Sequence, residues 1–529
     1  MRRLIYLPVA LLAYWAIAQT APQPLAGIFP AGALLYLEAK DFAGLLADWN
    51  GSAEKTAWLQ SANHDAFSRS RLFLKLGQAQ TEFATAAGVP PDYAMLSAVA
   101  GGNSALAMYH IGNLEFLYAT HLASARAVDT TLWKARGSYQ TRRAGGVDYF
   151  VKEDKGSHRV AAFAYAGDVL LLATKEDLIA GALELLARQA RPAVASEKWF
   201  QDTVQVAQPG SNDLRLVYNL ERLLATPHFR SYWVQRNNSV LREFSSGLAD
   251  LERVRGEVQE RRVMLRMNPA AAVSDEASTA QLLAMVPDDA GFYRAQVGPG
   301  VDRVVRWIEE KLLGAAVAPA PESKTAPVVT ASGEAGSEQD LETRIDTAPF
   351  NDDRDRLGSR KLREYLASKK LDAMLEVSGA VVDPDQVFIG TRSALVLVSN
   401  SWDVTALNLE DRTGKLAVAA NGRWLVAGDS KEFVDAILAR RNRPAVAGAA
   451  YVAGWRHSRE LPNYERMLRL IDFPQIPPQG EQADAREPMF FSENLASLGR
   501  ALRRVQSAEV AVHDSGAMLR ETVVYRIAP

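Results

Sequence analysis

An internal repeat constrains the fold of this chain more than any other feature of its sequence. The stretch that runs from Pro30 to Tyr36 recurs as Pro287-Asp-Asp-Ala-Gly-Phe-Tyr293. A buried strand followed by an amphipathic helix at 167–187 likewise resembles the segment 422–439, and each helix is followed by Arg-Pro-Ala-Val-Ala. Matches that recur in the same order indicate duplication of one structural unit. We therefore predict two tandem repeats, at 19–275 and 276–529.

One match departs from this register and needs an insertion to explain it. Ser104-Ala-Leu106 resembles Ser393-Ala-Leu395, at a wider spacing than the other pairs. The second copy contains a segment at about 314–353 that is rich in Ala, Pro, Ser, Thr and Glu. Such a composition cannot bury enough apolar area to offset the entropy of ordering it, so we predict a disordered loop there. A hairpin at about 133–160, present only in the first copy, restores the register.

The order of the patterns inside one copy predicts the fold class. Helices are expected at 69–87 and 361–377, and a hairpin is expected from the strands 104–109 and 114–122, joined by a short turn. Thr174 and Ser430 stand where a hydroxyl would cap the helix after a buried strand. Strands joined by tight hairpins favour an antiparallel sheet. We predict an α+β fold with helices packed on one face of that sheet.

The amino terminus has the pattern of a secretory signal peptide. Arg2 and Arg3 precede an apolar stretch at 4–18 that ends in Ala16-Ile17-Ala18. A basic start, a short apolar core and small residues at the end are what signal peptidase substrates share, so we predict cleavage after Ala18. The alternative is an uncleaved membrane anchor. The later apolar run 160–174 is too short to span a bilayer and contains Asp168.

Composition excludes several classes of function. The chain has no cysteine, which rules out disulfides, thiolate metal sites and a cysteine nucleophile. It carries 60 basic and 62 acidic residues, a net charge of −2. Nucleic acids and anionic membranes require a basic face, so neither is expected as the main partner.

Four of these features resemble a family of exported bacterial proteins that is catalogued only as a domain of unknown function. They are the signal peptide, the opening strand with Pro30, Ala33 and Tyr36, the strand–helix unit at 168–187, and the extended segment that ends in Leu216-Val-Tyr-Asn219. The resemblance covers most of the chain. It implies an exported protein of this architecture, and it brings no activity and no functional residues.

Motifs that carry chemistry are sparse. Ser52-Ala-Glu-Lys55 matches the Ser-x-x-Lys pattern in which lysine activates a serine nucleophile, but the Ser-Asp-Asn and Lys-Thr-Gly partners of that pattern are absent. Ser52 is better explained as the N-cap of a helix. The seven histidines include no pair at the i, i+4 spacing of a helical zinc site. No catalytic, cofactor-binding or metal-binding residue is predicted.

The sequence therefore predicts a periplasmic or secreted protein without catalytic activity, with a binding, scaffolding or envelope-assembly role. Its expected partner is another envelope protein or a small ligand. Two alternatives stay open: an exported serine hydrolase that uses Ser52 and Lys55, and an interaction protein tethered to the membrane by an uncleaved N-terminal helix.

Overall fold

The computed structural model describes most of the chain as an α+β protein. The described residues are 24–61, 64, 67–69, 71–90, 92–207, 213–227, 241–254, 256–273, 276–313, 360–381, 390–407, 414–472 and 504–528. All strand pairs among them are antiparallel. The predicted fold class, α+β with an antiparallel sheet, is confirmed.

The chain divides into two compact units. The first contains the described parts of Met1–Ala47, Lys75–Gln205 and Leu214–Leu223, and the second contains those of Asp48–Leu74, Val206–Asp213 and Leu224–Pro529. The strands of the first unit are β1 (Leu35–Ala39), β2 (Ser104–His110), β3 (Glu115–His121), β4 (Gln140–Ala144), β5 (Val147–Glu153), β6 (Val160–Ala166), β7 (Val169–Ala173) and β8 (Leu214–Asn219). They pair in the order β8-β1-β2-β3-β7-β6-β5-β4.

Helices of the first unit cover both faces of this sheet, and the helices along the same stretch of chain include one, Ala53–Leu59, that groups with the second unit. The helices of this stretch are α1 (Phe42–Gly51), α2 (Ala53–Leu59), α3 (Arg71–Ala87), α4 (Tyr93–Val99), α5 (Ser124–Asp129), α6 (Thr131–Lys134), α7 (Glu176–Leu186), α8 (Lys198–Gln205) and α9 (Leu220–Ala225). On one face, Leu170 of β7 packs with Val99 of α4 and Ala127 of α5. Side chains alternate along a strand, so Leu171 is buried on the opposite face, and α7 packs against β6 and β7.

The second unit has a longer run of strands. They are β9 (Phe244–Val254), β10 (Glu257–Arg266), β11 (Phe292–Val297), β12 (Ala373–Val381), β13 (Gly390–Val398), β14 (Ala417–Asn421), β15 (Trp424–Gly428), β16 (Tyr451–Arg456), β17 (Val505–Asp514) and β18 (Met518–Ile527). They pair in the order β9-β10-β18-β17-β16-β11-β12-β13-β15-β14.

Two hydrophobic cores lie on the two faces of β12 in the second unit. The helices of this part are α10 (Glu276–Ala284), α11 (Val301–Lys311), α12 (Arg360–Ala367), α13 (Lys431–Ala439) and α14 (His457–Asp472). Leu375 packs with Leu282 of α10 and Phe433 of α13, whereas its neighbour Met374 packs with Val304 of α11 and Leu362 of α12. Helices were expected on one face, and in this unit a further pair, α11 and α12, covers the other face.

Equivalent strands follow the same order in the two units. The order β8-β1-β2-β3-β7-β6 of the first unit corresponds to β16-β11-β12-β13-β15-β14 of the second. The register agrees as well. The row that starts with Tyr36 and Ala107 reaches Ala173, and the row that starts with Tyr293 and Val377 reaches Gly428, and each of these end residues lies two residues before the N-cap of a helix. The hairpin β4–β5 extends the first sheet beyond this common set. The boundary between 275 and 276 stays a prediction, since β9 and β10 group with the second unit.

Two predicted elements are wrong. The helix expected at 361–377 ends at Ala367, and a strand begins at Ala373. The side chains of β12 are buried on both faces over most of its length, and such a strand shows a continuous apolar run without the alternation that would distinguish it from a helix. In addition, the N-cap position expected at Thr174 is occupied by Lys175. The Thr174 hydroxyl instead forms hydrogen bonds with the Phe116 N–H and the Leu114 carbonyl.

The match between Ser104 and Ser393 is also wrong. Ser104 lies on β2, whereas Ser393 lies on β13, which is the equivalent of β3. The shared Ser-Ala-Leu sequence therefore joins two different strands. The offset of 289 positions disappears with it. The equivalent strands still differ in spacing, because Tyr36 and Tyr293 are 257 positions apart whereas Ala107 and Val377 are 270 apart, and the hairpin β4–β5 then shortens the difference.

Some predictions fall outside the described residues. They are the signal peptide at 1–18 with its cleavage site, and the predicted disordered loop at about 314–353. Within the part of the chain that is described, no helix combines the length and the hydropathy needed to cross a membrane.

A bidentate ion pair between the ends of β10 and β17, the two strands that flank β18 in the second unit, generates a stability prediction. Arg266 Nη1 and Nη2 lie 2.6 and 2.8 Å from the two carboxylate oxygens of Asp514, and both side chains are largely buried. The hydrogen bonds from Arg266 hold the pKa of Asp514 below its usual range. The stabilisation is therefore complete above the ordinary aspartate pKa of about 3.9 and is lost as the pH falls through the lower folded value.

We expect Asp514→Asn to lower the free energy of unfolding by about 2 kcal/mol at pH 7, the usual contribution of hydrogen bonds to a charged group. Urea titrations at pH 7 and pH 3 measure this, and the difference from the wild type should shrink at pH 3. Asp435→Asn is the control, because its pair with Lys431 is exposed to solvent and contributes little to stability. Equal losses in the two variants would contradict the prediction.

Candidate functional site

The Ser52 hydroxyl, the predicted nucleophile of the hydrolase alternative, takes part in capping its own helix. Its Oγ accepts the Lys55 backbone N–H at 3.0 Å and donates to the Trp49 carbonyl at 2.8 Å. The Lys55 ammonium donates to Asn50 Oδ1 at 2.5 Å. A lysine that activates serine must take the proton of the hydroxyl, and here that proton faces a backbone carbonyl. The arrangement is that of an N-cap at the start of α2.

Three of the described histidines lie in separate pairs with a carboxylate, whereas His457 is buried. His121 Nδ1 lies 2.9 Å from Asp168 Oδ2, and His513 Nδ1 lies 2.7 Å from Glu276 Oε1. Among the described residues, no group of three or more His, Asp or Glu side chains could hold a metal ion.

The helix α13 is followed by a basic run formed by Arg440, Arg441 and Arg443. Its positive charge is neutralised in part, because Arg440 forms two hydrogen bonds to Asp288 and holds the pKa of this carboxyl below its usual range.

A cavity of about 750 Å³ lies within the first unit, between the helices α3 and α4 and one face of the sheet. Its helical wall is formed by Leu76, Ala79, Gln80, Phe83, Ala84, Ala87, Tyr93, Met95 and Leu96. Its sheet wall includes Leu106, Met108, Phe116, Phe163, Leu172 and Thr174. A cavity of this size is within the range that encloses most of a small organic molecule.

The sequence of α3 explains why space remains over the sheet. The residues of α3 that line the cavity recur at a spacing of three or four, which places them on one face of the helix. Three of them, Ala79, Ala84 and Ala87, are alanines. An alanine cannot reach the sheet as a leucine would, so the inward face of α3 covers the sheet without filling the space beneath.

The cavity is apolar, and two of its polar side chains already have hydrogen-bond partners. Thr174 Oγ1 donates to the Leu114 carbonyl at 2.8 Å and accepts the Phe116 N–H at 2.9 Å. Asp92 Oδ1 accepts the Met95 N–H at 2.8 Å and so caps α4. These interactions satisfy polar atoms that would otherwise demand a polar ligand, and they leave the interior suited to hydrocarbon.

Exposed side chains border the mouth of the cavity. Leu76 and Gln80 on α3 are exposed, and so are Asp92, Tyr93 and Leu96 at and along α4. The opening therefore lies between these two helices. An apolar chain could enter there while a polar group attached to it stayed in water beside Gln80 and Asp92.

Sequence reasoning missed this site. It placed a helix at 69–87, where the structure has one at Arg71–Ala87, but it assigned no ligand site to this helix. The available signal was the alanine content of that face, together with large side chains such as Phe116 on the strands opposite. Alanines are common in well-packed helices, and only the distance between helix and sheet shows that they leave a space.

The role of Thr174 in the cavity wall leads to a prediction. Thr174→Val should lower the free energy of unfolding by about 0.5–1.5 kcal/mol, because it removes the hydroxyl that bonds the partly buried Phe116 N–H and Leu114 carbonyl. Thr174→Ser keeps the hydroxyl and should recover most of that loss. Thermal and urea unfolding measure both variants, and a Val variant as stable as the Ser variant would contradict this account.

Comparisons with known proteins leave the family of the chain open. No family model matches it, and no curated protein matches it. Among solved structures, crystal forms I and III of a protein named TP0453 are similar over 49% and 50% of this chain and 84% and 86% of theirs, each with 12% identity and a TM-score of 0.26. So low a TM-score supports no inference about this chain, and the resemblance to the exported family stays a prediction.

Proposed function

We propose that this chain is an exported, non-catalytic binding protein of the bacterial envelope, and that its first unit binds the apolar part of a small amphiphile. The cavity between α3 and the sheet is the observation that carries the proposal. Export rests on the signal-peptide pattern at 1–18, and membership of the exported family is part of the same proposal. Of the two partner classes expected from the sequence, the cavity favours the small ligand.

The chemistry of the lining supports an alkyl chain as the bound group. The transfer of each methylene group from water to an apolar site is favourable by about 0.8 kcal/mol of free energy. A ligand with polar groups along its length would lose hydrogen bonds to water inside the cavity, at about 1–3 kcal/mol for each unpaired group. An amphiphile avoids this cost, because its chain lies inside while its head remains at the mouth near Gln80 and Asp92.

The geometry at Ser52 supports a binding protein over the hydrolase alternative. A hydrolase of the Ser-x-x-Lys type needs the serine Oγ and the lysine amine to share a proton. Here Ser52 Oγ accepts a hydrogen bond from the backbone N–H of Lys55, and the Lys55 amine donates one to the side chain of Asn50. The membrane-tethered alternative depends on residues 1–18, and sequencing the mature amino terminus tests it, since Gln19 as the first residue would exclude a retained anchor.

A chain-length series tests the proposed ligand class. Straight-chain fatty acids of 8 to about 16 carbons would compete with a dansyl-labelled C11 fatty acid for the purified protein. We expect the dissociation constant to fall about fourfold for each added methylene, which corresponds to about 0.8 kcal/mol. The gain should stop once the chain fills the cavity. An affinity that does not change with chain length, or no binding of the labelled probe, would refute the proposal.

A substitution that fills the cavity tests the location of the site. Ala84→Phe places a phenyl ring where the alkyl chain would lie, so it should weaken binding of the probe at least about tenfold while adding packing contacts that preserve the melting temperature. Thr85→Phe is the matched control, because residue 85 is the next in α3 and is exposed. Wild-type affinity in the Ala84→Phe variant would place the ligand elsewhere.

A further inference from the structure

The strand registers allow the two units to be compared residue by residue. Tyr36 pairs with Ala107, and Tyr293 pairs with Val377, so Ala107 and Val377 are equivalent. It follows that Leu106, one residue earlier on β2, is the equivalent of Glu376 on β12.

The same comparison extends to the next strand and to the end of β7. Met108 pairs with Phe116 in the first unit, as Ser378 pairs with Ser393 in the second. Phe116 and Ser393 are therefore equivalent. Their backbone carbonyls accept hydrogen bonds from Thr174 N–H and from Asp429 N–H, each at 3.1 Å, which makes those two residues equivalent as well.

The two units differ in chemistry at these positions. In the first unit, Leu106, Met108 and Phe116 line the cavity. Their equivalents in the second unit are a carboxylate and two hydroxyls.

The carboxylate of the second unit is buried and paired. Glu376 is 4% exposed and forms ion pairs with Arg294 on β11 and Arg303 on α11. Asp429 Oδ1 accepts the Ser393 N–H at 2.8 Å. An alkyl chain laid on this face would desolvate or separate these charges, and separating a buried ion pair is strongly unfavourable.

The rest of this face is filled in the second unit. Val304 and Ile308 of α11 and Leu362 of α12 are at most 1% exposed, and they pack on Met374 and Leu395 of the strands. In the first unit, the helix α3 presents alanines toward its sheet at the cavity. The described residues of the second unit thus bring large side chains and charges to the face that is open in the first.

We propose that the protein binds one apolar ligand per chain, in the first unit alone, and that Leu106, Met108 and Phe116 are the residues that give one copy this specificity. This proposal rests on the proposed function. It adds that duplication produced one binding copy and one copy whose equivalent face is closed by the Arg294–Glu376–Arg303 cluster.

The number of binding sites on the whole protein tests the proposal. Equilibrium dialysis with the dansyl-labelled C11 fatty acid should give one bound probe per wild-type chain, and none in the Ala84→Phe variant at the same concentrations. Two probes per chain, or one remaining in Ala84→Phe, would overturn the restriction to the first unit while leaving the proposed function intact. No binding by the wild type would refute the proposed function itself.

A matched pair of substitutions tests the specificity residues. Leu106→Gln and Glu376→Gln place the same amide at equivalent positions of the two units. Leu106→Gln should weaken probe binding about tenfold or more, because it buries an unpaired amide against the alkyl chain. Glu376→Gln should leave the dissociation constant and the number of sites unchanged.

Two further measurements keep this test decisive if Leu106→Gln folds poorly. Circular dichroism and the melting temperature report the fold, and Leu106→Met, which keeps the position apolar, should bind within about twofold of the wild type. Phe116→Leu should likewise retain binding, whereas Phe116→Asn should lose it. Binding that follows substitution at Glu376 and ignores substitution at Leu106 would assign the ligand to the second unit and overturn the proposal.

Discussion

The register of the antiparallel strands is the constraint on which the rest of the structure depends, because it decides which side chains reach each face of the sheet. Along β12, Leu375 points to the core under α10 and α13, while Met374 and Glu376 point to the face under α11. A shift of one residue would exchange these sets and bury the wrong side chains on both faces. Because the two units share this strand order and register, the chemistry of each sheet face is determined by which residues stand at the positions that point to it.

The fold was predictable where local pattern and burial agree. The repeated Tyr36 and Tyr293, the hairpin of β2 and β3, and the strand–helix unit ending in α7 all have signals that a single window of sequence contains. The strand β12 has no such signal, since an apolar run buried on both faces matches a helix as well as a strand. Ser104 and Ser393 show the related difficulty that a short identity can join strands that are not equivalent.

The cavity could not be predicted, because it depends on the distance between a helix and a sheet. The alanines on α3 indicate only that little volume is offered from one side. Whether a space results depends on residues distant in the sequence, such as Leu106 and Phe116, and on how closely α3 approaches them. By contrast, Ser52 could be interpreted correctly from sequence, since N-capping involves only the next three residues.

The comparison of the two units gives the cavity a physical context. Apolar surface that no side chain covers forgoes the free energy that packing against protein would provide, so an unfilled face is costly unless something else fills it. In the second unit, Val304, Ile308 and Leu362 pack on the equivalent sheet, and Glu376 is neutralised by two arginines. The same backbone plan thus supports a closed face. That the first unit instead combines large apolar residues on its strands with alanines on its helix is the argument for a ligand that completes the core there.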